Sequence, residues 1–313
     1  MIQTTIGIDI SKDHLDTHRL ADGTTRQFAN CKAGHKALIK WLADTPLARI
    51  VYEPTGRYHG QLESRLGEAG LPLVKVNPRR ARRFAEAIGK LAKTDRADAA
   101  TLAQMGEALK LQPQPATDKT LAKLKELQTA RAALIKDRTA ARNRQKNLAA
   151  LLLKQQCKAR LEQIHKDLAE IDQAIDDIIT ADPECTKRRD ILVSIPGIAK
   201  LTAHAMLIHM PELGTLNQKQ AASLAGLAPV TRQSGAWRGK AYIQGGRAIL
   251  RQTLYMPALV ATRFNPDLKA KYQQLIKAGK PPKLAITAIM RKLIITANAL
   301  IRANRNWKLK TLE

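Results

Sequence analysis

The sequence predicts an α/β N-terminal domain with a mixed sheet, then a long coiled-coil arm, then a mainly α-helical C-terminal domain. Three observations carry this. Ile6, Ile8 and Ile10 alternate with Gly7 and Asp9, and further short β-branched runs follow between stretches of helical spacing. Between Pro115 and Pro183 there is neither glycine nor proline. Beyond Pro183 the apolar residues recur mainly at helical spacing. The expected divisions are 1–115, 116–183 and 184–313.

The first strand covers Thr5 to Ile10. His14 to Leu20 and Thr24 to Ala29 flank the turn signal Ala21-Asp22-Gly23, so three antiparallel strands open the fold. Gly34 to Asp44 places Ala37, Leu38, Trp41 and Leu42 at helical spacing. Ala48 to Glu53 is a β-branched strand stopped by Pro54. A helix (Tyr58 to Ala69), a strand (Leu71 to Val76) and a basic helix (Pro78 to Ile88) follow. Thr94 is the expected N-cap of one more helix. The order βββ-α-β-α-β-α with a mixed sheet is that of a ribonuclease-H-like fold.

Four acids stand at telling places in that fold. Asp9 lies mid-strand, where a carboxylate is costly unless paired, and a divalent metal is a common partner. Gly7 leaves room for a ligand or another backbone to come close. Glu53 ends a strand, and Asp95 and Asp98 share one face of a first helical turn. Taken singly, Asp9 could face water, and the two helical acids could simply complement the helix dipole. Together they form a set that would repel itself without one or two Mg²⁺ ions.

Lys and Arg number 53 against 27 acids, a formal charge of +26 and a pI near 10.3. The excess runs along the whole chain and points to DNA or RNA rather than a membrane surface. Arg79, Arg80, Arg82 and Arg83 crowd one basic helix and are candidates for phosphate contact. Cys31, Cys157 and Cys185 lack a C-x-x-C spacing, which suggests a reducing cytosol and no disulfide frame. The histidines form no ligand-like cluster, and no apolar run approaches 18 residues. The expectation is a cytoplasmic protein.

In the arm, Leu161, Ile164, Leu168, Ile171, Ile175 and Ile178 are spaced 3-4-3-4-3, an a/d seam. It calls for a hairpin or for pairing with another subunit. Ser194 to Lys200 resembles a helix-hairpin-helix turn, which offers backbone N–H groups to phosphate or merely packs; Ala199 stands where a second glycine is usual. Further on, Ser234 precedes a glycine in a segment that also holds Arg232, Arg238, Lys240, Arg247 and Arg251. Such a Ser-Gly is an ordinary turn in most proteins. Among arginines it is also a candidate phosphodiester nucleophile. From Pro282 to Ala303 a last helix carries Leu284, Ile286, Ile289, Leu293, Ile294 and Leu300 on a core-like face.

Gly7-Ile-Asp-Ile-Ser-Lys12, Tyr52-Glu-Pro-Thr-Gly56, Lys93-Thr-Asp-Arg-Ala-Asp-Ala99, Ser194-Ile-Pro-Gly-Ile198, Gly226-Leu-Ala-Pro229 and the later Gln233-Ser-Gly235 with Arg238-Gly239, Gly245-Gly-Arg247 and Leu250-Arg251 occur in order over nearly the whole chain. Together they resemble transposases of the insertion sequence 110 family, whose relatives include Piv-type pilin-gene invertases. The resemblance implies a RuvC-like DEDD domain with its site at Asp9, Glu53, Asp95 and Asp98, and a transposase domain with catalytic Ser234. It further implies Mg²⁺, donor and target double-stranded DNA, a bridge-type guide RNA, and a homo-oligomer between dimer and tetramer. The implied reaction is site-specific recombination through a phosphoserine. Two alternatives share these residues: a metal-dependent, structure-specific nuclease using water, and a non-catalytic nucleic-acid scaffold.

Overall fold

The computed structural model describes residues 3–43, 45–56, 58–90, 95–114 and 118–308. Asp44, Lys93, Thr94 and Pro115, each named above, lie outside them. The chain divides into two compact units, Met1–Asp118 and Lys119–Glu313.

In the first unit, strands β1 (Thr4–Ile10), β2 (His14–Arg19), β3 (Thr25–Ala29), β4 (Leu47–Tyr52) and β5 (Leu73–Lys75) form one mixed sheet in the order β3-β2-β1-β4-β5. The first three are antiparallel, and β4 and β5 join in parallel. Helices α1 (Lys32–Ala43) and α2 (Gly60–Glu68) cover one face, where Ile6, Ile8, Ile10, Leu15, Ile50 and Tyr52 are buried with Leu38, Leu42, Leu62 and Leu66. Helices α3 (Pro78–Ala87) and α4 (Asp95–Ala108) cover the other, where Val51, Val74 and Val76 meet Ala81, Leu102 and Met105. The period-two alternation of a strand thus sends odd and even residues of β1 into different layers. Asn77 caps α3 by accepting from the Arg79 N–H, with Pro78 at the first helical position. This is the ribonuclease-H-like arrangement.

The second unit opens with the arm. Helices α5 (Lys119–Gln145) and α6 (Leu151–Thr180) fold back on each other, broken at Lys146–Ala150. Ile164, Leu168 and Ile175 of the seam are buried, and Leu161, Ile171 and Ile178 half-buried. Leu124 of α5 packs with Ile175 and Ile179. Arg131 grips Asp172 through Nε at 2.5 Å and Nη2 at 3.2 Å, so this cation of the arm is held inside the hairpin. The seam therefore meets its own chain. The hairpin also joins the helices that follow it, with Ile208 in the same apolar cluster and Lys200 Nζ 2.7 Å from Asp176 Oδ2.

Helices α7 (Pro183–Val193) and α8 (Lys200–His209) flank the helix-hairpin-helix-like turn, which is turned inward. Ile195 and Ile198 are buried, and Gly197 has φ +106°. A Cβ there would lie 2.8 Å from the Pro257 carbonyl oxygen, in helix α10 (Ala248–Phe264). The contacts shown for this turn are packing contacts. Helices α9 (Gln218–Leu224), α11 (Pro266–Lys277) and α12 (Pro282–Arg302) complete the bundle. On length and composition α12 could cross a membrane. Here Ile286, Ile289, Leu293, Ile294 and Leu300 are instead core, while Leu284 is exposed.

Candidate active site

Thr5, Gly7 and Asp9 project from the face of β1 that α4 covers, and each meets a different part of that helix. The Thr5 hydroxyl donates to Glu107 Oε2 at 2.8 Å. A Cβ on Gly7 would fall 1.9 Å from the Ala99 carbonyl oxygen and 2.6 Å from the Ala103 nitrogen. The close approach that Gly7 permits is therefore to another backbone. Gly106 does the same from the helix side, where a Cβ would crowd Val51 and Thr5. Arg49 Nη1 locks the contact by donating to the Gly106 carbonyl at 2.6 Å. Helix and sheet lie so close that the acidic first turn of α4 comes within electrostatic reach of Asp9.

Glu53 arrives by register. Strands β1 and β4 are parallel with Ile8 beside Tyr52, which carries Glu53 to the level of Asp9. Burial, then the charges of Asp95, Asp98 and Glu53, push the Asp9 carboxyl from its ordinary 3.8 up to about 6. The other three predicted carboxylates thus all act on Asp9. Among the described residues, however, no three His, Cys, Asp or Glu side chains are close enough together to hold a metal ion as they stand. The set is gathered but open. Its all-oxygen donors and its self-repulsion suit a hard divalent cation, whose charge would relieve the strain recorded at Asp9.

Asp16 escaped the sequence reading. It pairs directly with Asp9 across β1 and β2, so both point to the α4 face, and it is buried with Oδ1 accepting from Gln27 Nε2 at 3.1 Å. The signal was the alternation of β2, since Leu15 faces the opposite layer. At the same end of the sheet a recess of about 350 Å³ is lined by Lys12, Asn30, Tyr58 and Gln61. Asn30 is held there by the carbonyl oxygens of Ser11 at 2.8 Å and Tyr58 at 3.2 Å. Arg79, Arg80, Arg82 and Arg83 are all exposed on α3, with Arg82 3.2 Å from Glu86.

Ser234 belongs to the second unit and is exposed. It closes strand β7 (Gln233–Ser234), which pairs with β8 (Trp237–Arg238) around the two-residue turn Gly235–Ala236. Gly235 has φ +55°, which a glycine adopts freely at the first central position of such a turn. Strands β6 (Pro229–Val230) and β9 (Tyr242–Ile243) form the root of the hairpin. Arg232 donates to the Tyr242 hydroxyl at 2.8 Å and lies 5.0 Å over its ring. Arg238 and Lys240 are exposed. Between Glu212 and Asp267 the sequence holds no acid at all.

Arg247 departs from the expectation of a phosphate contact. Its guanidinium makes paired bonds to Glu212 at 2.7 and 2.6 Å and a third to the His209 carbonyl at 2.8 Å. Glu212 is correspondingly held below the usual carboxylate range by Arg247, against the opposing effect of burial. Arg251 bonds the carbonyl oxygen of Gly245 at 2.9 Å. Around these two arginines the glycine motifs meet: a Cβ on Gly246 would lie 2.2 Å from the Gly226 nitrogen. Arg247 and Arg251 therefore clasp the root of the hairpin, leaving Arg232, Arg238 and Lys240 along its length. A recess of about 860 Å³ between α11 and α12 is lined by none of the predicted residues.

The strand order and the acids at its centre define the first unit as a ribonuclease-H-like domain of the DEDD type, a class that uses divalent metal ions. Residues 6–157 match the DEDD transposase family of IS110, and residues 189–273 the transposase family IS116/IS110/IS902. The chain belongs to the IS110 family of transposases and is an enzyme that acts on DNA. It is 32% identical to the pilin gene-inverting proteins of Moraxella bovis and Moraxella lacunata, over 97% of this chain and 98% of each relative. The solved structure of T. thermophilus RuvC in complex with Holliday junction substrate aligns with 36% of this chain and 100% of its own. At 13% identity and a TM-score of 0.28 it adds nothing to the fold already read from the strand order.

Proposed function

We propose that this transposase is a site-specific recombinase that cuts and rejoins DNA through a covalent phosphoserine at Ser234. The observation that carries the reading is the placement of Ser234, exposed beside a tight turn in a segment rich in arginine and free of acids. The Ser234 oxygen attacks a backbone phosphorus. An Oγ–P bond forms, the bond from phosphorus to the leaving deoxyribose oxygen breaks, the hydroxyl gives up its proton and the leaving oxygen takes one. The new ester conserves the energy of the old one, so a second strand end can reverse the step without ATP. Arg232, Arg238 and Lys240 hold the phosphate and spread the charge that develops on it. That two relatives are named for inverting a gene supports rejoining over simple hydrolysis.

Asp9, Glu53, Asp95 and Asp98 would hold Mg²⁺, which when bound supplies Lewis-acid polarisation of a phosphodiester. Burial and the charges of Asp95, Asp98 and Glu53 disfavour Asp9 as an anion, and a bound cation would offset that. The charge of +26 supports a second polyanion, a bridge-type guide RNA paired to donor and target DNA. The exposed arginines of α3 are its proposed contacts. The working form is a homo-oligomer of two to four copies in the cytoplasm, each copy comprising a DEDD domain, an arm and a serine domain.

The test is to incubate end-labelled DNA with protein, Mg²⁺ and the RNA encoded beside the gene, then denature. DNA carried on the polypeptide at Ser234, mapped by mass spectrometry, is the expected result. Clean hydrolysis with no adduct would favour a nuclease using water. An adduct on Ser194, Ser223 or a tyrosine would move the nucleophile.

A further inference from the structure

Trp237 sits directly across the hairpin from Ser234 and is 60% exposed. Directly opposed residues on paired strands project from the same side, so the indole and the hydroxyl share one face. The ring leans back along its strand over Gly239, where an added Cβ would come within 2.4 Å of it. Gly239 is itself fixed, its N–H donating to the Arg232 carbonyl at 2.9 Å. The indole is thus laid against main chain on one side and left open on the rest. A large aromatic held this way in water implies something that covers it.

The surroundings decide among the coverings. Arg232, Arg238 and Lys240 are exposed on the same hairpin, and the nearest acids in sequence are Glu212 and Asp267. A nucleic-acid strand satisfies both features in one ligand, since every base offers a flat π face and carries an anion beside it. We infer that Trp237 is a stacking platform for a base of the DNA strand whose phosphate Ser234 attacks. The inference rests on that reading of Ser234 for the identity of the strand. With only two residues between them, the base on the indole and the phosphate at the hydroxyl come from the same short stretch of chain. The base must leave its duplex stack to reach the ring, so Trp237 also favours DNA opened at the exchange point.

The experiment uses the full-length Ser234→Ala protein without divalent metal, so that DNA stays uncut under either reading, with three probes: oligothymidylate, oligouridylate, and a deoxyribose backbone of the same length without bases. Adding Trp237→Ala should weaken oligothymidylate binding by roughly 5- to 100-fold and leave binding to the abasic strand unchanged. Trp237→Phe should keep most of the affinity, and Gly239→Ala should lose part of it by displacing the ring. Equal loss on base-bearing and abasic strands, or no loss on either, would overturn the assignment. So would a Trp237 dependence that follows oligouridylate in preference to oligothymidylate, or a fall in oligomer mass by light scattering in Trp237→Ala. The two readings separate cleanly: a wild-type protein that forms no serine adduct yet shows the base-dependent loss keeps the stacking site and loses the phosphoserine.

Discussion

Asp9 sits on a strand buried on both faces with a helix backbone pressed against it, whereas Ser234 sits on a two-residue strand of an exposed hairpin. The carboxylates are held by long-range packing, and holding them costs stability, because burial and three like charges work against Asp9. Ser234 is held by a tight turn and a clasp of glycines and arginines at the hairpin root, with no buried charge at the serine itself. A hard cation needs several carboxylates brought to one place by the fold. A nucleophile that must reach a phosphate on bulky DNA needs exposure. In the proposed mechanism the difference in build follows the difference in task.

The largest expected effect tests the exposed half. Ser234→Ala should reduce both recombination and the covalent adduct to background, while stability changes by less than about 0.5 kcal/mol. A melting curve run beside the recombination assay checks both, and an alanine variant that still recombines would end the serine assignment.

Next comes the packed half. Gly7→Ala puts a Cβ into the backbone of α4, so helix and strand must separate. The expected cost is about 1–3 kcal/mol, with recombination lost as Asp95 and Asp98 move off Asp9. Denaturant titration measures the first. Unchanged stability would mean that α4 does not rest on β1 as described.

Asp9→Asn should separate stability from activity. The folded state holds the Asp9 proton more tightly than the unfolded chain does, about 6 against the ordinary 3.8. Metal-free wild type therefore loses stability as pH rises through that window and keeps it below. Asparagine removes this loss, so above pH 6 the variant should be the more stable by on the order of 1 kcal/mol after solvent screening. Near or below pH 4 the two should melt alike. Recombination should vanish in the variant, and Mg²⁺ should raise the melting temperature of wild type alone. A variant less stable than wild type at neutral pH would contradict the acidic cluster.

The smallest effect sharpens the contrast between glycines. Gly235 has open space around it, so Gly235→Ala meets no neighbour and suffers only from φ +55°. The cost should be about 1 kcal/mol, confined to the hairpin. Hydrogen exchange limited to the residues around Ser234 would confirm it, and a global loss matching Gly7→Ala would erase the distinction.

Much of the first unit was legible because its signals are local. The alternation of Ile6, Ile8 and Ile10, the stop at Pro54 and the start of α3 at Pro78 act within a few residues. The four candidate acids also stood out by their places in the element order. Asp16 was not, because its meeting with Asp9 depends on a hairpin register that no single residue announces.

The sequence by itself determined the βββ-α-β-α-β-α order, the apolar seam of the arm, and a chain whose charge calls for a polyanion. Only the tertiary structure decided the partners. Gly7 admits a helix backbone, the seam closes on its own hairpin, the turn at Gly197 packs against α10, and Arg247 spends its charge on Glu212. Periodicity and turn chemistry act between residues close in sequence and can be read from it. Whether a glycine, an apolar stripe or an arginine meets its own chain or something outside is settled by packing between residues far apart in sequence, as the separation of 35 residues from Glu212 to Arg247 illustrates.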